Sequence, residues 1–351
     1  MKRKFAFPPD FSPSTSHRII QSENPPSQEY RGGDVAAWQR RLRPRIRRLL
    51  GKRPEGRCPL HVRTIWRREH PLGLIEKIVF TSEPGSDVPA YVCLPKDVRP
   101  PYRFFVCLQG HTTGMHLSIG VSADESEAVG TVVDGDYAIG CMARGIAALC
   151  IEQRAIGERE ERVQENVAPK RCQDASMQAL MLGRTLVGER VFDLERAVDY
   201  LEERGDVDMR RLGVLGHSGG GTVALYGAAL NPRIKTVICS GYFCTFGGSV
   251  MAMKSCICNY IPGLLQVAEM PDIAGLIAPR PLVLVNGRRD EMIPIAASQK
   301  AFRHLKRIYA ACGAGDRCKL VIGPEGHRFY SAPGWRRSEE RRVGKECRSR
   351  W

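Results

Sequence analysis

The residues most able to do chemistry lie in the second half of the chain, in the order serine, aspartate, histidine. Gly216-His-Ser-Gly-Gly-Gly221 contains the pattern G-x-S-x-G, directly after the apolar run Arg211–Leu215 and directly before Thr222–Tyr226. Strand, glycine-rich turn and helix in that order form the setting of a nucleophile elbow, in which a tight backbone turn projects the Ser218 hydroxyl above a sheet. The N–H of Gly219 then faces an oxyanion developing on a substrate. A hydroxyl becomes a nucleophile only when a base takes its proton, so a histidine and a carboxylate are needed as well. Two histidines follow Ser218. His304 falls inside the helical run Ala301–Lys306, whereas His327 lies in the open loop Gly323–Tyr330 and is the expected base. The run Val283–Asp290 reads as strand, turn and carboxylate, which makes Asp290 the expected partner of the imidazole ahead of Glu291 and Glu325. A second oxyanion donor should come from the loop after Val106–Leu108, with the backbone N–H of His111 first and that of Thr112 second.

The elements that must position these residues alternate. Strand-like stretches at Ile78–Thr81, Val88–Leu94 and Phe104–Leu108 open a sheet. A helix near Tyr137–Arg144, a strand Ala147–Glu152 and a long helix from about Asp174 to Glu203 follow. Next come strand Leu212–Leu215, helix Gly219–Leu230, strands Thr236–Cys239 and Leu282–Val285, helix Ala296–Ala311 and strand Lys319–Ile322. Such alternation predicts a mostly parallel sheet flanked by helices. Asp34 can cap a helix running towards Leu50, with Pro44 kinking or restarting it. Residues 1–33 are rich in Pro, Ser and Gln and read as a flexible arm, leaving 34–336 as the folded domain. Thr112–Gly135 and Tyr242–Ile273 fit neither element and are expected to roof the site, the second bringing Tyr242, Phe243, Phe246 and Tyr260. The roof reading predicts a short acyl pocket; packing of these aromatics onto the sheet is the alternative.

With 43% hydrophobic and 26% charged residues in 351, the chain is ordinary globular material. No apolar run approaches the roughly 20 residues of a membrane span, and no hydrophobic stretch follows the basic N-terminus before Pro8, so a cytoplasmic protein with no membrane partner is expected. The net charge is +15, with thirteen Lys and Arg in Arg31–His70 against Asp34, Glu55 and Glu69. These flank a helical stripe of Trp38, Leu42, Ile46 and Leu49 without an aromatic platform, so a solvated face is expected rather than a specific nucleic-acid surface. Most of the thirteen cysteines sit in apolar runs and read as free thiols. No metal is expected. Cys256 and Cys258 form a C-x-C with no second Cys or His pair at zinc-finger spacing, Cys312 and Cys318 supply none, and His111 with His116 lacks a third ligand. Arg337–Trp351 looks like the in-frame translation of a sequencing adapter, so 337–351 is expected to be non-native and the natural sequence to be interrupted near Arg336.

The elbow and the order Ser218, Asp290, His327 resemble the α/β-hydrolases. Gln153–Arg159, Met181–Arg190, Ser240–Thr245, Cys256–Pro262 and Gly326–Tyr330 resemble in particular the acetyl xylan esterase-like and dienelactone hydrolase-like branch. Gln109 stands where many such hydrolases carry histidine before the glycine. The resemblance spans about Ala37–Trp335 and implies the α/β-hydrolase fold. It also implies serine esterase chemistry on a small-molecule ester with a short acyl group, without a cofactor. Two alternatives stay open: a peptidase or lactone hydrolase with the same triad, and a basic binding module on a hydrolase scaffold.

Overall fold

The computed structural model describes residues 11–129, 134–161, 172–252, 255–332 and 334–335; the expected non-native tail lies outside them. Nine strands form one sheet: β1 (Arg63–His70), β2 (Gly73–Glu83), β3 (Ser86–Pro95), β4 (Phe104–Leu108), β5 (Ala147–Ile151), β6 (Gly213–His217), β7 (Thr236–Ser240), β8 (Leu282–Gly287) and β9 (Cys318–Gly323). Their order is β1-β2-β3-β5-β4-β6-β7-β8-β9. The first three are antiparallel, β3 meets β5 antiparallel, and everything from β5 to β9 is parallel. The expected α/β-hydrolase fold, a mostly parallel sheet flanked by helices, is therefore present.

The parallel strands β4, β5, β6 and β8 are buried along their whole length, as continuous apolar runs covered on both faces must be. Alternation along β4 shows the two layers. Phe104, Val106 and Leu108 join the core formed with α2 (Val35–Leu49), α5 (Leu186–Glu203), α6 (Gly219–Leu230), α7 (Met270–Gly275) and α8 (Ile295–Ala311). Phe105 and Cys107 face α3 (Tyr137–Met142), Phe329 and Trp335 on the other side. The twelve cysteines of the described residues are free, and no helix among them is long and apolar enough to cross a membrane.

Three features differ from the sequence reading. The edge strand β1 was not anticipated, because its exposed, charge-rich faces lack the period-2 alternation that betrays a half-buried strand. The long helix expected over 174–203 is two, α4 (Cys172–Met181) and α5. Gly183 turns the chain at φ +71°, and Thr185 restarts the helix by accepting from the Gly188 N–H at 3.0 Å while donating to the Leu50 carbonyl at 2.7 Å. The arm is also less loose than its composition suggests. It carries α1 (Pro13–Glu23), and its Ser27 and Gln28 N–H groups bind the carbonyls of Gln266 and Val267. Tyr30 is buried against Trp38 with its N–H on Asp272; one anchoring aromatic outweighs a polar neighbourhood.

Asp34 caps α2 by accepting from the Ala37 N–H, and Pro44 lies within the helix without ending it. Its basic face meets the ends of other helices. Arg43 donates to the carbonyls of Ala229 and Leu276 at 3.1 and 3.0 Å, and Arg47 to that of Leu230 at 3.1 Å. Cations there satisfy the last carbonyls of α6 and α7 and oppose their negative dipole ends. Farther along, Arg53 pairs with Glu195, Arg57 with Asp199, Arg63 with Asp87 and Arg67 with Glu76. Arg43→Ala is expected to lower the free energy of unfolding in urea by about 1–3 kcal/mol. Exposed Arg40→Ala should leave it within about 0.5 kcal/mol of the parent.

Candidate active site

Ser218 connects β6 to α6 at φ 53° and ψ −119°, a conformation that costs a non-glycine residue about 1–3 kcal/mol. The surrounding main chain enforces it. The Ser218 N–H donates to the Ser240 carbonyl at 2.8 Å, and the Ser218 carbonyl accepts from Thr222 at 3.0 Å. A Cβ at Gly216 would overlap the Gly220 carbonyl, and one at Gly220 would overlap the Leu108 carbonyl, so two chain segments cross with no space for side chains. The Gly219 N–H stands at the N-terminus of α6, where first-turn donors have no intrahelical acceptor and the dipole favours negative charge.

Asp290 follows β8 and is 4% exposed. Its Oδ1 accepts from the N–H groups of Met292 and Ile293 at 2.9 and 3.1 Å, which aims Oδ2 at His327 Nδ1, 2.7 Å away. His327 Nε2 is buried with no hydrogen-bond partner, and the residue lines the same pocket as Ser218. The competing groups are elsewhere. Glu291 is exposed, and Glu325, on the surface, pairs with Arg328 at 2.9 Å. His304 is tied to Asp272 at 2.8 Å.

One close neighbour of the imidazole escaped the sequence reading. His217, immediately before the serine, is buried with its Nδ1 2.9 Å from Ser240 Oγ, and its ring lies 4.8 Å from that of His327. Burial first, and the facing His327 second, push it down to about 3, so it packs as a neutral ring. Nothing in its local sequence separates it from an ordinary elbow residue.

The loop after β4, which carries the candidate oxyanion donors, rests on a buried polar network. Gln109 donates from Nε2 to Ser118 Oγ at 2.8 Å and to the Gly135 carbonyl at 2.7 Å, while its own carbonyl accepts from the Gln153 amide. Glu152 takes the Met115 N–H between both carboxylate oxygens at 3.1 Å and the Glu158 N–H at 3.3 Å. Burial pushes this carboxyl up to about 7. Of the two candidate donors, the Thr112 N–H is engaged with the Gly110 carbonyl at 2.9 Å, whereas that of His111 makes no hydrogen bond among the described residues. His116 is held at both ring nitrogens, by Val121 O at 2.6 Å and Thr113 Oγ1 at 2.8 Å.

Ser218, Gly219, His111 and His327 border one pocket of about 50 Å³, closed by Thr222, Tyr242, Val250, Met292 and Ile293. Of the aromatics expected to roof it, Tyr242 alone reaches the lining. Phe243 is core, while Phe246 and Tyr260 border an adjoining cavity of about 420 Å³.

A family model described as "Abhydrolase family" (Abhydrolase_7) matches residues 20–304. The chain belongs to this abhydrolase family. Among its relatives is YtaP of Bacillus subtilis strain 168, which carries a hydrolase name and is 27% identical over 290 residues, 81% of this chain and 92% of YtaP. Many solved structures share the fold. A Bacteroides fragilis protein described as an acetyl xylan esterase superposes with a TM-score of 0.74 at 17% identity, covering 92% of this chain and 84% of its own. The glucuronoyl esterase of Solibacter usitatus gives 0.63 at 16%, covering 88% and 93%.

In this abhydrolase the neutral state of His217 has a measurable consequence. Its ordinary value is about 6.5, so below that pH the unfolded chain binds a proton that the folded chain refuses, and stability falls as pH drops towards 3. Glu152, shifted upward, acts with the opposite sign between about 4.5 and 7. Comparing variants isolates the histidine. Between pH 6.5 and 4.5 the parent is expected to lose about 2–3 kcal/mol more than His217→Gln, read from urea midpoints at each pH.

Proposed function

We propose that this abhydrolase is a serine carboxylic ester hydrolase for short-acyl esters, acetylated carbohydrates among them, working through an acyl-enzyme. The observation that carries the reading is the Asp290–His327 pair, whose His327 keeps Nε2 without a hydrogen-bond partner and lines the same pocket as the strained Ser218. His327 Nε2 takes the hydroxyl proton as Ser218 Oγ attacks the ester carbonyl, and Asp290 holds the tautomer and balances the imidazolium. The oxyanion receives the N–H groups of Gly219 and His111. His327 then protonates the departing alkoxide, and the acyl group stays on Ser218. Water, deprotonated by the same nitrogen, attacks the acyl carbonyl and releases the acid and the serine.

The pocket supports a short acyl group. About 50 Å³ beside the serine is far below the 300–1,000 Å³ of pockets that enclose drug-sized ligands. The adjoining larger cavity leaves room for the alcohol part, in keeping with a structural neighbour described as an acetyl xylan esterase. The intramolecular partners of Arg43, Arg47, Arg53 and Arg57 support a structural role for the basic segment.

Asp290→Asn should reduce kcat on p-nitrophenyl acetate by about 10³–10⁴-fold, as Ser218→Ala does, while Glu325→Gln stays within a factor of about three. A larger loss at Glu325 would move the acid there. On p-nitrophenyl esters kcat/KM is expected to fall from acetyl to octanoyl, each misfitted methylene costing about 1–3 kcal/mol. Acetate release from acetylated xylo-oligosaccharides tests the carbohydrate part. A rise out to octanoyl would overturn the short-acyl reading.

A further inference from the structure

Beside the serine pocket, four side chains from three separate segments converge. A ring nitrogen of His111, in the oxyanion loop, and the Sγ atoms of Cys172, Cys256 and Cys258 all lie within 4.8 Å of one another. Cys172 begins α4, while Cys256 caps and Cys258 lies within a short 3-10 turn, Ile257–Asn259, between β7 and α7. His111 Nε2 is 3.1 Å from Cys258 Sγ, and the two sulfurs of the C-x-C are 3.2 Å apart. Zn–S of about 2.3 Å and Zn–N of about 2.0 Å in a tetrahedron space their ligands by roughly 3.7 Å, inside the range these atoms span. The sequence showed only the C-x-C, because the ligands that complete it stand far away in the chain.

Arg190 supplies an independent observation. This guanidinium is 2% exposed, donates to Cys172 Sγ at 3.1 Å and otherwise to the Arg154 carbonyl, and forms no ion pair with a carboxylate among the described residues. A buried cation demands a nearby anion. Three thiolates with one divalent cation leave a single negative charge, which Arg190 balances while orienting a ligand from outside the coordination sphere. Three neutral thiols would leave the guanidinium uncompensated.

We propose that His111, Cys172, Cys256 and Cys258 bind one thiophilic divalent cation of the zinc class in a closed structural site. Four protein ligands fill a tetrahedron and leave no position for substrate, so the ion takes no part in bond making. It clips three segments together. One carries the proposed oxyanion donor, since His111 would offer its ring to the metal and its main-chain N–H to the pocket. Another contributes Cys256 to the pocket wall. The clip reading stands on the ligand geometry and does not require ester hydrolysis.

The test is metal content of the full chain, expressed with added zinc, purified reduced and without chelator, and measured by plasma mass spectrometry. About one zinc per chain is expected. Cys172→Ser and Cys258→Ser should each retain less than about a tenth of it, and Cys312→Ser, outside the cluster, should retain all. As those serine variants risk misfolding, the parent is also stripped of metal and titrated with cobalt(II), which should yield thiolate-to-metal charge-transfer bands and the visible bands of a tetrahedral ion. A folded, reduced parent with neither zinc nor these bands would overturn the proposal. So would zinc retained in both serine variants, or a parent mass lower by two hydrogens that places a disulfide among the three cysteines.

Discussion

Backbone packed on backbone, with no room for one methyl group, underlies the whole site. Where β6 turns into α6, Gly216 faces the Gly220 carbonyl and Gly220 faces that of Leu108. The helix is thereby pressed against the ends of β4 and β6, and Ser218 has no conformation left except the left-handed one it adopts at φ 53°. Strain of that kind persists only where the surroundings over-determine it. Here they do so twice, through the main-chain bond from Ser218 to Ser240 on β7 and through a helix whose residues are all buried. The same crossing presents the first-turn N–H groups of α6 to the pocket.

Around this rigid centre the other groups arrive on loops, and each loop is fixed by polar atoms that burial makes obligatory. Asp290 is turned by two main-chain N–H groups, and His327 is wedged between Asp290 and His217. The loop after β4 hangs on Gln109, Gln153 and Glu152, whose partners are mostly main-chain atoms. Replacing any of them by an apolar residue would strand a buried donor or acceptor, at a cost of about 1–3 kcal/mol. Gln109 is therefore part of the loop's anchorage.

What could be read from the chain follows the range of the interactions involved. The elbow, the carboxylate past β8 and the loop histidine past β9 are local patterns of strand, turn and reactive side chain, and the structure brings Asp290 and His327 into contact and Ser218 into their pocket. The parallel strands were legible because burial on both faces leaves unbroken apolar runs. Edge strand β1 was not, since solvent on its faces permits Arg and Glu at any register. Tyr30 anchors the N-terminal segment through one distant contact with Asp272, and no composition average can show that. His217, Glu152 and Cys172 acquire their settings only from chain segments that meet in space.

The most direct test of the central claim, that Ser218 is the residue activated by the Asp290–His327 pair, is covalent trapping. The protein is treated with a p-nitrophenyl phosphonate, in which the activated oxygen forms a bond to phosphorus and p-nitrophenolate leaves, and the adduct is located by tandem mass spectrometry. A single adduct on Ser218 is expected, lost in His327→Ala and retained in Glu325→Gln. An unlabelled protein, an adduct on another residue, or labelling of Ser218 that persists unchanged without His327 would contradict it.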